Sequence, residues 1–156
     1  MQKKVIFKTS GIFYRDTHYA HVSFLIDIYK EYPHIRIVFK YSPVVCEVPD
    51  EAQKQEMRCA LAEQIFRTDE PYVTDCIERV YPVKNEISVA VRNPNRWLGE
   101  HHCFVDGRDE IVLGESATYG FFQEPNIPGQ YEFVLHVFSI YTPECSYTLE
   151  ILGEDE

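Results

Sequence analysis

The residues best suited to chemistry in this 156-residue chain are its six histidines. His18 and His21 stand three positions apart in a segment that reads as a β-strand, where this spacing directs side chains to opposite faces. The adjacent residues His101 and His102 would also point to opposite faces, so they could bind one metal ion together only if their loop curls. His136 lies inside a strongly apolar run, which favours a hydrogen-bonded core histidine over a catalytic base. Because no H-x-H or H-E-x-x-H motif is present either, we predict structural or incidental roles for the histidines.

Acidic residues and nucleophiles give no stronger signal. Asp106, Asp109 and Glu110 surround one turn and could offer oxygen ligands to calcium, but they are too few for a recognised calcium loop. A solvated turn is therefore the preferred interpretation. No G-x-S-x-G motif marks a serine nucleophile. We predict no catalytic residue, no metal site and no cofactor.

Four aromatic residues stand between predicted strands: Trp97, Tyr119, Phe121 and Phe122. Binding residues concentrate on loops, and aromatic rings at the rim of a β-sandwich could stack on a sugar or anchor a protein partner. The alternative is that these rings form a hydrophobic plug, which closes the open end of the sandwich.

The net charge of −10, from 25 acidic and 15 basic residues, argues against partners that present phosphate groups. Nucleic acid and anionic membrane surfaces both select basic faces, so neither is expected as a partner. The N-terminus lacks the apolar run of a signal peptide, and no run approaches the ~20 apolar residues of a membrane-spanning helix. The five cysteines are odd in number and scattered, which indicates free thiols in a cytoplasmic protein.

Alternating apolar and polar residues predict that most of the chain is β-structure. The predicted strands are residues 4–8, 18–29, 35–41, 85–92, 102–105, 110–113, 130–141 and 145–152. Ser10-Gly11 is expected to close the first strand. The second and third strands are expected to be antiparallel neighbours. The last two, separated by Thr142-Pro143, are expected to form the core hairpin of the fold.

One segment has the period of a helix. Asp50 is a suitable N-cap, and an apolar residue recurs every four positions from Met57 to Ile65, which predicts an amphipathic helix inserted at about residues 50–67. About eight short strands with Pro and Gly turns predict a mainly β protein, an antiparallel β-sandwich of jelly-roll type. We expect residues 1–156 to form a single domain whose acidic tail, residues 153–156, is frayed.

The blocks NEISVAVRNPN, WLGEHH, EIVLGESATYGFF and NIPGQYEFVLHVFSIYTPECSYTLEI follow one another from Asn85 onward. In order and spacing they resemble the accessory β-domain that precedes the metal-dependent hydrolase domain in bacterial metallohydrolases of the polymerase-and-histidinol-phosphatase (PHP) superfamily. The segment HVSFLIDIYKEYPHIRIVFKYSP is similar to the earlier half of that domain. Tyr119 and Cys103 depart from the family, which tends to have proline and arginine there. The resemblance implies an accessory β-sandwich, and the family's metal ligands have no counterpart among these residues.

Three functions remain open at this point. The first is a non-catalytic module that binds a protein partner or a small ligand, such as a carbohydrate, through the loop aromatics. The second is the non-catalytic partner of a split metal-dependent phosphoesterase. The third is a hydrolase whose site lies in the rim loops. The polar residues of that third site would be His101, His102, Asp106 and Glu115.

Overall fold

The computed structural model describes residues 3–15, 17, 19–47, 50–52, 54–55, 59, 82–102 and 106–155. Within these residues the chain forms ten β-strands: β1 (Lys3–Tyr14), β2 (Ala20–Ile28), β3 (His34–Ser42), β4 (Val45–Cys46), β5 (Val83–Lys84), β6 (Glu86–Arg92), β7 (Trp97–His102), β8 (Arg108–Leu113), β9 (Gly129–Ser139) and β10 (Glu144–Glu154). Every strand pair is antiparallel. The prediction of a mainly β, antiparallel chain is therefore confirmed.

The long strands form two four-stranded sheets. The first sheet has the order β1-β10-β3-β8 and the second has the order β2-β9-β6-β7, while β4 and β5 pair as a separate ribbon. Consecutive strands β2 and β3 lie in different sheets, so their predicted pairing is wrong. Strands β9 and β10 also lie in different sheets, so the predicted hairpin is wrong too. An alternating pattern identifies the buried face of a strand but not its partner, and the tendency of consecutive strands to pair has many exceptions.

Side chains from both sheets meet in one hydrophobic core. Ile35, Ile37 and Phe39 of β3 are fully buried, as are Val89 and Val91 of β6. Alternation assigns these residues to the inward faces of their strands, and the structure confirms it. The inward residues of β9 and β10 in the same core include Tyr131, Phe133, Leu135, Leu149 and Ile151. Because burying one such side chain contributes about 1.5–3 kcal/mol, this shared core is the main source of stability.

Strand β1 continues past the predicted stop at Ser10-Gly11 and ends at Tyr14. Gly11 lies opposite Tyr147 of β10, and a Cβ atom on Gly11 would come within 2.7 Å of the Tyr147 ring. The missing side chain leaves room for that ring, which stacks on Phe13 with centroids 4.6 Å apart. Glycine at this position is therefore a packing requirement of the strand and does not end it.

The acidic C-terminus is also part of the first sheet. Strand β10 runs through Gly153 and Glu154, and Glu154 is only 1% exposed. Arg36 Nε donates a hydrogen bond of 2.7 Å to the Glu154 carboxylate, and the Lys3 ammonium lies 3.0 Å from it. The hydrogen bond from Arg36 is the main reason that the pKa of Glu154 falls to about 2. The expectation of a frayed tail is wrong for Gly153 and Glu154, because a carboxylate can be buried when it is paired.

The β4–β5 ribbon pairs the residues on either side of a segment, residues 47–82, most of which lies outside the described residues. Val45 pairs with Lys84, and Cys46 pairs with Val83. The helix predicted at about residues 50–67 lies mostly outside the described residues. Of the described residues within it, Asp50 is not helical, while Glu51, Ala52, Lys54, Gln55 and Cys59 are helical but do not define a complete helix. Among all described residues, no helix combines the length and apolar composition needed to cross a bilayer.

Candidate functional site

Three histidines and a serine form one row across the second sheet. His21 of β2 lies opposite His136 of β9, His136 lies opposite Ser88 of β6, and Ser88 lies opposite His102 of β7. The residues on either side of His136 and of Ser88 along their strands belong to the hydrophobic core. Because successive side chains of a strand point to opposite faces, the row lies on the outer face of the sheet.

Glu100 of β7 links this row by hydrogen bonds. His136 Nδ1 lies 2.9 Å from Glu100 Oε1, and the Ser88 hydroxyl donates to the same oxygen. Partial burial alone would raise the pKa of Glu100. The hydrogen bonds from Ser88 and His136, with the nearby charges of His136 and His102, outweigh this effect, so the pKa lies below its ordinary value. The carboxylate is therefore ionised at neutral pH and holds the His136 ring in place.

Aromatic rings pack around the same histidine. The Trp97 indole lies almost parallel to the His136 imidazole, with centroids 6.2 Å apart and planes 12° apart. The His21 ring lies 4.4 Å from His136, and Phe138 meets His136 edge-on while stacking on His102. Trp97 remains 41% exposed, so part of this ring system is open to solvent. We call the set His21, Ser88, Trp97, Glu100, His102, His136 and Phe138 the imidazole–aromatic face.

The hydrogen-bond order on this face does not match a nucleophile–base–acid triad. In such a triad the serine donates to the imidazole, and the imidazole donates to the acid. Here Ser88 and His136 both contact the Glu100 carboxylate. The face instead presents ring surfaces beside hydrogen-bonding groups that are fixed in orientation, which is an arrangement suited to binding.

The four aromatic residues that we predicted to share one rim of the sandwich occupy different environments in the structure. Trp97 begins β7 and does not lie in a loop. Phe121 is buried in the core and bridges to Gly99. Phe122 is half exposed, with the Arg96 guanidinium 4.2 Å above its ring. Tyr119 is 94% exposed in a turn.

The predicted polar rim is also divided. His101 points away from the imidazole–aromatic face, and its Nδ1 lies 2.5 Å from Asp109 Oδ2 of β8, so this pair joins the two sheets at their β7–β8 edge. His102 belongs to the imidazole–aromatic face. Asp106 and Glu115 flank the opposite ends of the six-residue strand β8, roughly 20 Å apart. These four residues therefore do not converge on one site.

Sequence reasoning missed Ser88, Glu100 and the joint role of His21 and His136. Alternation did place His21 on the polar side of its strand. His136 was expected to be a buried core residue, and the structure places it half-buried on the outer face with a hydrogen-bond partner. To find the other residues, one must know which strands are neighbours and in what register they pair. The local sequence pattern does not contain this information.

Histidine and carboxylate groups of the described residues are not arranged for metal binding. No group of three or more His, Cys, Asp or Glu side chains in the described part of the chain has a geometry that could hold a metal ion.

No protein-family model matches the chain. No curated protein matches it significantly either.

Proposed function

We propose that this chain is a non-catalytic β-sandwich module of jelly-roll type, and that it binds a carbohydrate on the imidazole–aromatic face. The observation that carries the proposal is the half-exposed Trp97 ring. It lies parallel to His136, which is itself held by the ionised Glu100.

The strand pairing supports the jelly-roll architecture. Four antiparallel pairs are nested along the chain: β1 with β10, β2 with β9, β3 with β8, and β6 with β7. A jelly roll has eight strands in two stacked sheets and is related to a long antiparallel ribbon of this kind wrapped onto itself. One hydrophobic core containing residues of both sheets is what such wrapping requires.

The chemistry of the face suits a sugar. A pyranose ring presents C–H groups on its two faces and hydroxyl groups around its edge. The C–H groups can stack on the Trp97 indole, while the hydroxyls require nearby acceptors and donors. Glu100 supplies an ionised acceptor, and the imidazoles of His102 and His136, whose side chains are 37% and 17% exposed, supply further polar atoms.

Fluorescence offers a direct test, because Trp97 is the only tryptophan of the chain. The protein would be titrated with neutral hexasaccharides of glucose, xylose and N-acetylglucosamine, and the indole emission would be followed. We expect at least one of these ligands to change the intensity or wavelength of the emission with a saturable 1:1 dependence.

Calorimetry on variants locates the site. Trp97→Ala and Glu100→Gln should each weaken binding of the same saccharide by about tenfold or more. The first variant loses the ring contact, and the second loses a hydrogen bond to a charged acceptor. Tyr29→Ala is the matched control, since Tyr29 is 88% exposed just beyond the end of β2. Absence of saccharide binding, or equal affinity in all four proteins, would contradict the proposal.

The accessory-domain resemblance leads to a second proposal, in which the module acts as the non-catalytic partner of a separate metal-dependent phosphoesterase. The mainly β, antiparallel architecture is what that resemblance implies. Co-purification with a PHP-type hydrolase chain tests this role. The hydrolase alternative on the rim loops has no support from the geometry, since its residues lie apart. We expect no turnover of an aryl phosphate with added manganese, zinc or iron.

A further inference from the structure

A small pocket lies on the outer face of the second sheet, four residues along β6 from Ser88. Its volume is about 270 Å³. The lining residues are Leu25, Arg92, Asn93, Pro94, Gln130 and Glu132. The pocket can therefore accommodate a molecule of amino-acid size, and it is small for a drug-sized ligand.

Two opposite charges face each other across this pocket without pairing. Arg92 of β6 and Glu132 of β9 are direct register partners on adjacent strands. Opposite charges at such positions usually attract, as Lys8 and Glu150 do on the first sheet, where the two charged groups lie 3.6 Å apart. Within the described residues, neither Arg92 nor Glu132 forms an ion pair. Both charges are therefore available to a ligand that carries one group of each sign.

The surroundings of the two charges are held in place. The Asn93 side chain accepts hydrogen bonds from the backbone of the β6–β7 turn and donates one of 2.6 Å to Glu124. Gln130 donates a hydrogen bond of 3.3 Å to Asp27 on β2. Leu25, which is 61% exposed, and Pro94 add apolar surface beside the charged pair. A pocket that is already formed requires little ordering when a ligand binds.

We propose that this pocket binds a small zwitterion with an apolar side chain, such as an aliphatic α-amino acid. The Arg92 guanidinium would bind the carboxylate of the ligand, and the Glu132 carboxylate would bind its ammonium group. Leu25 and Pro94 would contact the side chain of the ligand. Planar guanidinium and carboxylate groups form strong, directional hydrogen bonds to such partners. This proposal does not depend on saccharide binding, because it uses a different set of residues on the same sheet.

The test is calorimetry with L-leucine as the probe, at low ionic strength, because salt weakens exposed charge interactions. We expect 1:1 binding of L-leucine. 4-Methylpentanoate lacks the ammonium group and 3-methylbutylamine lacks the carboxylate, so each should bind at least about tenfold more weakly. This comparison uses the unmodified protein and is unaffected by any folding defect. Failure of L-leucine to bind, or binding of either analogue as tightly as L-leucine, would overturn the proposal.

Charge-removing variants then assign the residues. Arg92→Gln and Glu132→Gln should each weaken L-leucine binding by about tenfold or more, in proteins whose thermal unfolding remains cooperative. Glu150→Gln on the first sheet removes the comparable cross-strand charge and should leave the affinity unchanged. If both pocket variants bind L-leucine as tightly as the natural protein does, the site lies elsewhere and the assignment is wrong.

Discussion

The Oε1 atom of Glu100 lies 2.9 Å from Nδ1 of His136, although strand β6 runs between the strands that carry them. At this point β6 presents Ser88 and Ala90 on the outer face, and both are completely buried. Ser88 is the register partner of His136, and Ala90 is the register partner of Glu100. Because both residues are small, side chains of the flanking strands can meet above β6. The geometry of the imidazole–aromatic face thus depends on residue size in the strand beneath it.

A larger side chain on β6 should therefore separate the two groups. We expect Ala90→Leu to break the contact between Glu100 and His136 and to weaken saccharide binding by about tenfold or more. Overpacking should also cost about 1–3 kcal/mol of stability. The control is Val112→Leu, an outward position on the first sheet. Saccharide affinity that is unchanged in Ala90→Leu, measured by calorimetry, would show that the contact does not matter for binding.

The buried ion pair of Glu154 and Arg36 should make the free energy of unfolding depend on pH in the acidic range. The pKa of Glu154 falls from its usual value near 4.5 to about 2, chiefly through the hydrogen bond from Arg36. A carboxylate with a lowered pKa in the folded state stabilises the protein above its unfolded pKa, and the stabilisation is lost as pH falls through the folded pKa. Glu154→Gln should therefore be less stable than the natural protein by about 2 kcal/mol at pH 7.

Urea unfolding at several pH values checks this expectation. The difference in unfolding free energy between the natural protein and Glu154→Gln should shrink as pH falls from about 4.5 to about 2. Glu150→Gln serves as the control, because its pair with Lys8 is more exposed and should contribute less. A difference that does not vary with pH would mean that the contribution of Glu154 is not electrostatic.

The buried Asn85 side chain joins three segments of the chain. Its Nδ2 donates hydrogen bonds of 2.8 Å to Pro43 O and Thr142 Oγ1, and its Oδ1 accepts one of 2.7 Å from Tyr141 N. Asn85→Ala leaves these buried groups unsatisfied, so we expect a loss of at least about 3 kcal/mol in unfolding free energy. Asn95→Ala, in the exposed β6–β7 turn, should change it by less than about 0.5 kcal/mol. Similar melting temperatures for both variants would contradict this role.

The cysteines should all be free thiols. Cys59 and Cys145 are free thiols in the structure. Burial raises the pKa of Cys145 to about 11, so it should react slowly with a thiol reagent in the native protein, while the exposed Cys59 reacts quickly. After denaturation without reductant, we expect five reactive thiols, which would agree with the cytoplasmic location that the sequence predicts. Recovery of one or three thiols would show disulfide formation instead.

Alternation predicted the inward face of most long strands, because a strand that is buried on one face has an apolar residue at every second position. Ile35, Ile37 and Phe39 are examples. The same pattern could not reveal that β9 pairs with β2 and β6 and not with β10, since partner choice depends on how the whole chain wraps. The predicted pairing of β2 with β3 and the predicted hairpin of β9 and β10 are wrong for that reason.

The candidate site was harder to predict for the same reason. Trp97 and His102 were identified as candidates, but their neighbours on the face, Glu100 and His136, come together only through the order β9-β6-β7. Phe121 illustrates the opposite error, because an aromatic residue in a connection can belong to the core. Neither the exposure of a residue in a connection nor the cross-strand register can be read from one sequence.

Mapping the bound saccharide by amide nuclear magnetic resonance tests the central claim most directly. Isotope-labelled protein would be titrated with the saccharide that changes Trp97 fluorescence. We expect the largest shift changes at His21, Ser88, Glu100 and His136 on the outer face of the second sheet, with little change at Ser146 on the outer face of the first. Shift changes centred on the first sheet, or spread evenly over both, would contradict the assignment of the imidazole–aromatic face as the binding site.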